Sequence, residues 1–211
     1  HAPDGAATAA FVSLARTLGD PGPDPTVRIE RVRRVATTGM TEEIRVVSAA
    51  SVPVRATLTI DLASDLAPMN DVRAGRTREP VPARGDGGGL SWSAPGIEVR
   101  VTTDGASIDA DHARLTWTID LPPRASARHE WTLRVTTTAI SVAAAPDPVE
   151  WSRPRLIADD RRLMRLLERS LDDLAAMRLV EPGHPEDTFI GAGVPWYLTL
   201  FGRDSLWAAR M

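Results

Sequence analysis

The feature that most constrains this chain is a set of short stretches in which apolar and polar residues alternate. Val54, Ala56, Leu58, Ile60 and Leu62 alternate with Arg55, Thr57, Thr59 and Asp61. Successive side chains of an extended strand point to opposite faces, so each such stretch has one face to bury and one to leave in water. The pattern recurs with Ile97, Val99 and Val101 against Glu98, Arg100 and Thr102. It recurs again with Leu115, Trp117, Ile119 and Leu121 against Arg114, Thr116, Thr118 and Asp120, and with Trp131, Leu133 and Val135 against Thr132, Arg134 and Thr136. Weaker strands are expected near residues 27–36, 43–49, 90–94, 106–108 and 140–143.

Turn signals separate these stretches: Thr38-Gly39, Ser51 to Pro53, Asp104-Gly105 and Pro122-Pro123. Many short strands, each with one apolar face, predict a mainly β fold: a two-layer antiparallel β-sandwich over about residues 27–142. Leu58, Ile60, Val99, Trp117, Ile119, Trp131 and Leu133 are its expected inward residues. Trp92, Trp117 and Trp131 share the parity of aliphatic neighbours, which predicts core positions and not an exposed stacking platform. Residues 1–10 are small and polar and read as a poorly ordered lead-in, and residues 11–18 as a strand or a short helical turn. Residues 65–89 read as a long loop, with disorder expected over 76–89 and a flexible tip at Gly87 to Gly89.

After a proline-rich linker at 146–154 the period changes. Leu163, Leu167, Leu171 and Leu174 recur at helical spacing, flanked by Met164 and Leu166, with Asp159-Asp160 near the start, where carboxylates suit a helix N-terminus. A helix is expected over about 158–178, ended by Pro182-Gly183. A loop is expected over 185–193, loop or short strand over 194–200, and a new helix from Ser205. The domain reading is therefore 1–145 sandwich, 146–154 linker and 155–211 a second, helical unit. A start at His1 and an end at Met211 inside an apolar run read as a piece of a longer protein.

Composition removes several function classes. Net charge is -3 and cysteine is absent. Nothing here suits nucleic acid or an anionic membrane surface, and neither disulfide nor thiolate chemistry is open to the chain. A cytoplasmic location is the expectation. His1, His112, His129 and His184 are scattered without metal-ligand spacing, so no metal and no cofactor is expected. His112 and His129 read as surface residues beside strands. No Gly-rich loop joins a strand to a helix, and Asp204-Ser205 lacks a nucleophile elbow.

One stretch does carry recognition chemistry. In an aromatic-poor chain, Trp196, Tyr197, Phe201 and Trp207 cluster around the adjacent pair Arg203-Asp204. Arg is a rigid fork of donors and Asp is an acceptor. Flat apolar faces with donors and acceptors suit a sugar ring, whose edge is hydroxyls and whose face is C–H. The competing reading is a local ion pair with core aromatics; for Trp196 the two weigh evenly, and for Trp207 core is the better reading.

The run Gly193-Val194-Pro195-Trp196-Tyr197-Leu198-Thr199-Leu200-Phe201-Gly202-Arg203-Asp204-Ser205-Leu206 resembles the segment that opens the catalytic domain of glycogen debranching, amylo-alpha-1,6-glucosidase-like proteins. It is also similar to the aromatic-x-x-R-D-S motif of glucoamylase-type (α/α)6 barrels. Further upstream, Pro23-Asp24-Pro25-Thr26, and Asp65-Leu66 through Val72-Arg73, resemble parts of the N-terminal domain of the same proteins. The resemblance implies a sandwich followed by helices that begin an (α/α)6 barrel, truncated in this sequence. It implies a glycoside hydrolase acting on an α-glucan-like oligosaccharide or polysaccharide, with Arg203, Asp204, Trp196 and Tyr197 as substrate-binding residues and the remaining barrel as the fragment's partner. It also places the catalytic acids beyond Met211. The residues agree with that last point, because glycosidic hydrolysis needs two facing carboxylates. Asp159-Asp160 and Asp172-Asp173 have arginine neighbours, Asp65, Asp71 and Asp86 sit in the loop, and Glu150 beside Trp151 is too little to argue from. The alternative is a non-catalytic carbohydrate-binding or purely structural sandwich.

Overall fold

The structure is a computed structural model and describes residues 7–138, 140–149, 152, 154–194 and 196–210. His1, Glu150, Trp151, Pro195 and Met211, named above, lie outside the described residues. The chain divides into two compact units. Thr8–Ala67 with Thr77–Thr138 belong to the first, and Pro68–Arg76 with Ala139–Met211 to the second.

The first unit is all antiparallel β. Its strands are β1 (Thr8–Leu14), β2 (Val27–Ala36), β3 (Gly39–Ser48), β4 (Val54–Asp61), β5 (Arg84–Gly85), β6 (Gly89–Ala94), β7 (Ile97–Thr103), β8 (Ser107–Asp109), β9 (Arg114–Leu121) and β10 (Ser126–Thr137). Seven form one sheet in the order β1-β2-β3-β10-β7-β6-β5, and three form a second in the order β4-β9-β8. The alternation sets the register. Val54 pairs with Leu121, Ala56 with Ile119, Leu58 with Trp117 and Ile60 with Leu115, so each pair puts two apolar side chains on one face. The larger sheet answers with Leu90 paired to Val101, Trp92 to Val99 and Leu133 to Val101. Trp92, Trp117, Ile119 and Trp131 are buried, and Leu58, Ile60, Val99 and Leu133 pack against them partly buried. Each fully buried large side chain contributes about 1.5–3 kcal/mol relative to exposure.

Several expectations are corrected here. Residues 8–10 are not a loose lead-in but open β1, whose edge pairing with β2 runs from Thr8–Arg34 to Leu14–Arg28. The stretch 76–89 is tied to the sandwich: Val81 N donates to Ser64 O at 2.8 Å, Val81 and Ala83 pack on the core, and Arg84–Gly85 pairs with β6. Gly89 is no flexible tip. It is buried in β6, and a Cβ there would collide with the Val101 carbonyl oxygen. His129 is not a surface residue. It points inward from β10 with its Nε2 buried and its ring 5.6 Å from that of Trp117.

The second unit contains α1 (Met69–Arg73), β11 (Ala143–Ala144), α2 (Arg161–Ala176), β12 (Arg178–Glu181), β13 (His184–Ile190) and α3 (Gly202–Arg210). The expected strand at 140–143 is therefore only the pair Ala143–Ala144, and it joins β12 and not the sandwich. The helix of 158–178 is shorter than expected, because the Asp160 side chain accepts from Arg162 N at 2.9 Å and so caps it at its first turn. Pro182-Gly183 does not simply end a helix but turns the β12–β13 hairpin, and the expected loop 185–193 is mostly strand. His184–Ile190 lacks a clean apolar alternation, which is why its sequence does not read as a strand. No helix among the described residues is long and apolar enough to cross a membrane.

Candidate functional site

The residues singled out for sugar recognition all lie in the second unit, between the end of β13 and the first turns of α3. Backbone geometry builds their support. Ala192 and Thr199 form an isolated antiparallel bridge, with N–H to O distances of 2.9 and 3.2 Å. Between them the chain turns, and Trp196 N and Tyr197 N both donate to Gly193 O at 3.0 and 2.9 Å. Gly193 has φ +77°, and a Cβ there would come within 2.9 Å of Tyr197 Cβ and 3.0 Å of the Phe201 ring. Only glycine meets both demands, so the first residue of the motif has a local structural reason.

The aromatics divide in two. Tyr197 packs edge-to-face on Phe201, with ring centroids 5.9 Å apart, and the Arg73 guanidinium lies 5.0 Å over its face. An edge-to-face pair and a cation over a ring are both favourable geometries. Trp196 and Tyr197 remain 42% and 57% exposed. Trp207, expected in the core, is instead 61% exposed and shares a cleft of about 260 Å³ with Arg203, Leu206 and Arg210 along one face of α3. The reason is helical phase: Ser205 is the buried residue of α3, which turns Trp207 to the outside.

Arg203 and Asp204 open α3, with Arg203 Nε 3.8 Å from Asp204 Oδ1, both side chains largely exposed. Asp204 lies in the first turn, where a carboxylate suits the positive end of the helix dipole. No hydrogen bond, ion pair or ring contact among the described residues joins this pair to Trp196 or Tyr197; Arg203 faces Asp204, and Tyr197 faces Phe201 and Arg73. The chemistry of the pair is hydrogen bonding.

Ser205 is the functional-region residue that sequence reasoning undervalued. Its Oγ donates to Ile190 O at 2.8 Å and accepts from Phe201 N at 3.0 Å, and its side chain is buried. It is not a nucleophile in waiting but a clamp that fixes the start of α3 against the end of β13. The position of Ser directly after Arg-Asp is the signal, though its partner is 15 residues away.

Elsewhere in the unit, His184, Glu186 and Asp187 bring one donor atom each to within 4.8 Å of one another on the exposed β12–β13 hairpin. His184 also lies 4.0 Å from Glu181 and 3.7 Å from Glu186. The three fall within four consecutive positions, and the hairpin adds Glu181 opposite His184. A wider apolar cavity of about 590 Å³ is lined by α2, β13 and α3, with Leu167, Leu171, Leu174 and Phe189 among its walls.

No curated protein matches the chain. Among solved structures, a polysaccharide lyase aligns at a TM-score of 0.36 and 10% identity. The alignment covers 64% of this chain and 26% of that one, so the chain spans about a quarter of the lyase's length. A likeness this distant carries no argument about function. The family comparison differs in kind, because it covers the lead-in, the β1–β3 meander, both sheets and most of β10. A family model described as the N-terminal domain of (some) glycogen debranching enzymes matches residues 1–132, well over half of the chain, and the chain belongs to that family.

Proposed function

We propose that this chain is the accessory sandwich and the opening of the catalytic domain of a cytoplasmic glycoside hydrolase that acts on α-glucosidic bonds of glycogen-like oligosaccharides. Residues 1–145 are the accessory domain, 146–154 the linker, and 155–211 the first helices of an (α/α)6 barrel. The observation that carries this reading is the order of two independent signals. The family match ends at residue 132, and the Gly193-to-Leu206 motif follows it outside the matched stretch. Burial of Trp92, Trp117 and Trp131 in the sandwich core supports an accessory role over a stacking platform for neutral glucan.

In this reading Arg203 and Asp204 hydrogen-bond sugar hydroxyls in the subsite of the reacting glucose, with Trp196 and Tyr197 beside them. The catalytic carboxylates belong to later barrel helices. The exposure of Arg203 and Asp204 supports availability to a ligand. Removing one partner of a directed polar contact in a partly dry pocket costs on the order of 1–3 kcal/mol. Where those contacts tighten as the ring distorts towards an oxocarbenium-like state, the loss falls on kcat as well as KM. Asp204→Asn and Arg203→Lys in the intact parent enzyme should each lower kcat/KM at least about tenfold, or roughly 1.4 kcal/mol, with Tm unchanged. Normal kinetics with a lowered Tm in both variants would assign the pair to structure instead.

A further inference from the structure

The inward face of the larger sheet changes character along β2. Val27 and Ile29 are apolar, but the next two residues of that face are Arg31 and Arg33. On the neighbouring strand the same face carries Glu42, which has no solvent exposure and sits between Arg33 on one side and Trp131 on the other. Arg31 Nε and Nη2 donate to Glu42 Oε1 at 2.9 and 2.7 Å. Arg33 Nε donates to Oε2 at 2.8 Å, with its Nη2 at 2.7 Å from the same oxygen. One buried carboxylate thus fixes two guanidinium planes side by side. A buried ion group of this kind is a poor source of stability, because desolvation offsets most of the Coulomb gain.

The two arginines are not themselves buried. Their side chains are 39% and 36% exposed, and neither Nη1 has a hydrogen-bond partner among the described residues. Both guanidinium carbons lie over the Phe11 ring of β1, each 5.9 Å from its centroid, and Phe11 is 47% exposed. β1 contributes no charged residue. The platform therefore holds two positive charges against one negative, with donors turned outward from a rigid base and a flat apolar ring at its side. Guanidinium forks match carboxylate and phosphate oxygens, and a fork already held in place loses less freedom when it binds.

We propose that Arg31, Arg33 and Phe11 form a binding site for a sugar bearing an oxyanion, with the arginines on the phosphate or carboxylate and the Phe11 ring against the C–H face. The oxyanion follows from the arginine geometry; the choice of a sugar as its bearer rests on the carbohydrate role proposed above. The site would give the sandwich a specificity separate from that of the Arg203-Asp204 region.

Calorimetric titration of the 211-residue chain with glucose 6-phosphate, glucuronate, glucose and inorganic phosphate tests this. One or both anionic sugars should bind at least about tenfold more tightly than glucose, with affinity falling as salt rises. The tighter of the two identifies the acid group. Arg31→Lys keeps the charge but loses the fork, and should weaken anionic sugars about tenfold. Phe11→Ala touches neither Glu42 nor the tryptophan core, and should weaken the anionic sugars about threefold or more while leaving inorganic phosphate unchanged. Equal affinity for glucose, or no effect of either substitution in a folded chain, would overturn the site. Inorganic phosphate binding as tightly as both sugars would overturn the sugar as its bearer. These results do not depend on kinetics at Arg203 and Asp204, so failure of either proposal leaves the other readable.

Discussion

At the scale of the residue, His129 shows how a strand position overrides composition. As one of four scattered histidines it reads as surface, yet its place on β10 alternates with Trp131 and Ala127 on the inward face. Both His129 Nε2 and Trp131 Nε1 are buried without a hydrogen-bond partner among the described residues. Burial disfavours the charged imidazolium and pulls the His129 pKa below its ordinary value. The sign follows directly. As pH falls through about 6.5 the unfolded chain takes up a proton that the folded chain resists, so stability is lost from there down to the folded pKa. His129→Leu, which has no proton to gain and fills the site with apolar atoms, should flatten the dependence of Tm on pH as it falls below about 6.5. An equally steep dependence in the variant would place the titrating group elsewhere. The carboxylates with lowered pKa, such as Asp20 held by Ser51 and Asp160 held by Arg162, act in a separate and more acid window.

At the scale of the element, glycines and serines decide where strands and helices stop. Gly89 begins β6 with no room for a side chain, because the strand passes tightly over the Val101 carbonyl. In sequence it belongs to a run of three glycines, and three in a row read as flexibility. Two of them, Gly87 and Gly88, do face open space; the third is structural. Gly89→Ala should therefore lower stability by about 1–3 kcal/mol, while Gly88→Ala stays near neutral. Denaturant unfolding of both variants distinguishes them, and equal stability would mean that β6 shifts to accept the methyl. α2 shows the opposite balance: its apolar stripe is plain in the sequence, yet none of its residues is buried. Leu163, Met164 and Leu166 stay 44–61% exposed.

At the scale of the whole molecule, Leu163, Met164 and Leu166 leave one end of α2 open, while Leu167, Leu171 and Leu174 are half-buried. With Leu206 and Trp207 of α3 also open, the second unit leaves several large apolar side chains in water, the kind of surface that drives association. The isolated chain should associate as its concentration rises, which sedimentation or light scattering will register. It should also show no turnover of an α-1,6-linked glucoside, since hydrolysis needs two facing carboxylates. Turnover that a single substitution within these residues abolishes would contradict the assignment of catalysis to later helices.

What the sequence determined by itself was local: which stretches extend, which face of each turns inward, and which family the sandwich belongs to. Those properties repeat every second residue, as Val54 to Ile60 and Leu115 to Leu121 do, and need no knowledge of the partner strand. The Arg-Asp-Ser run was legible as a motif for the same reason. Tertiary structure decided what depends on partners far apart in the chain. It placed Ser205 on Ile190, turned Trp207 outward and paired the irregular residues of β13 with β12. It also closed Arg31 and Arg33 of β2 on Glu42 of β3, a grouping that only strand pairing creates. Alternation reports that a side chain faces inward; only the covering of that face decides whether it meets apolar core, another charge or water.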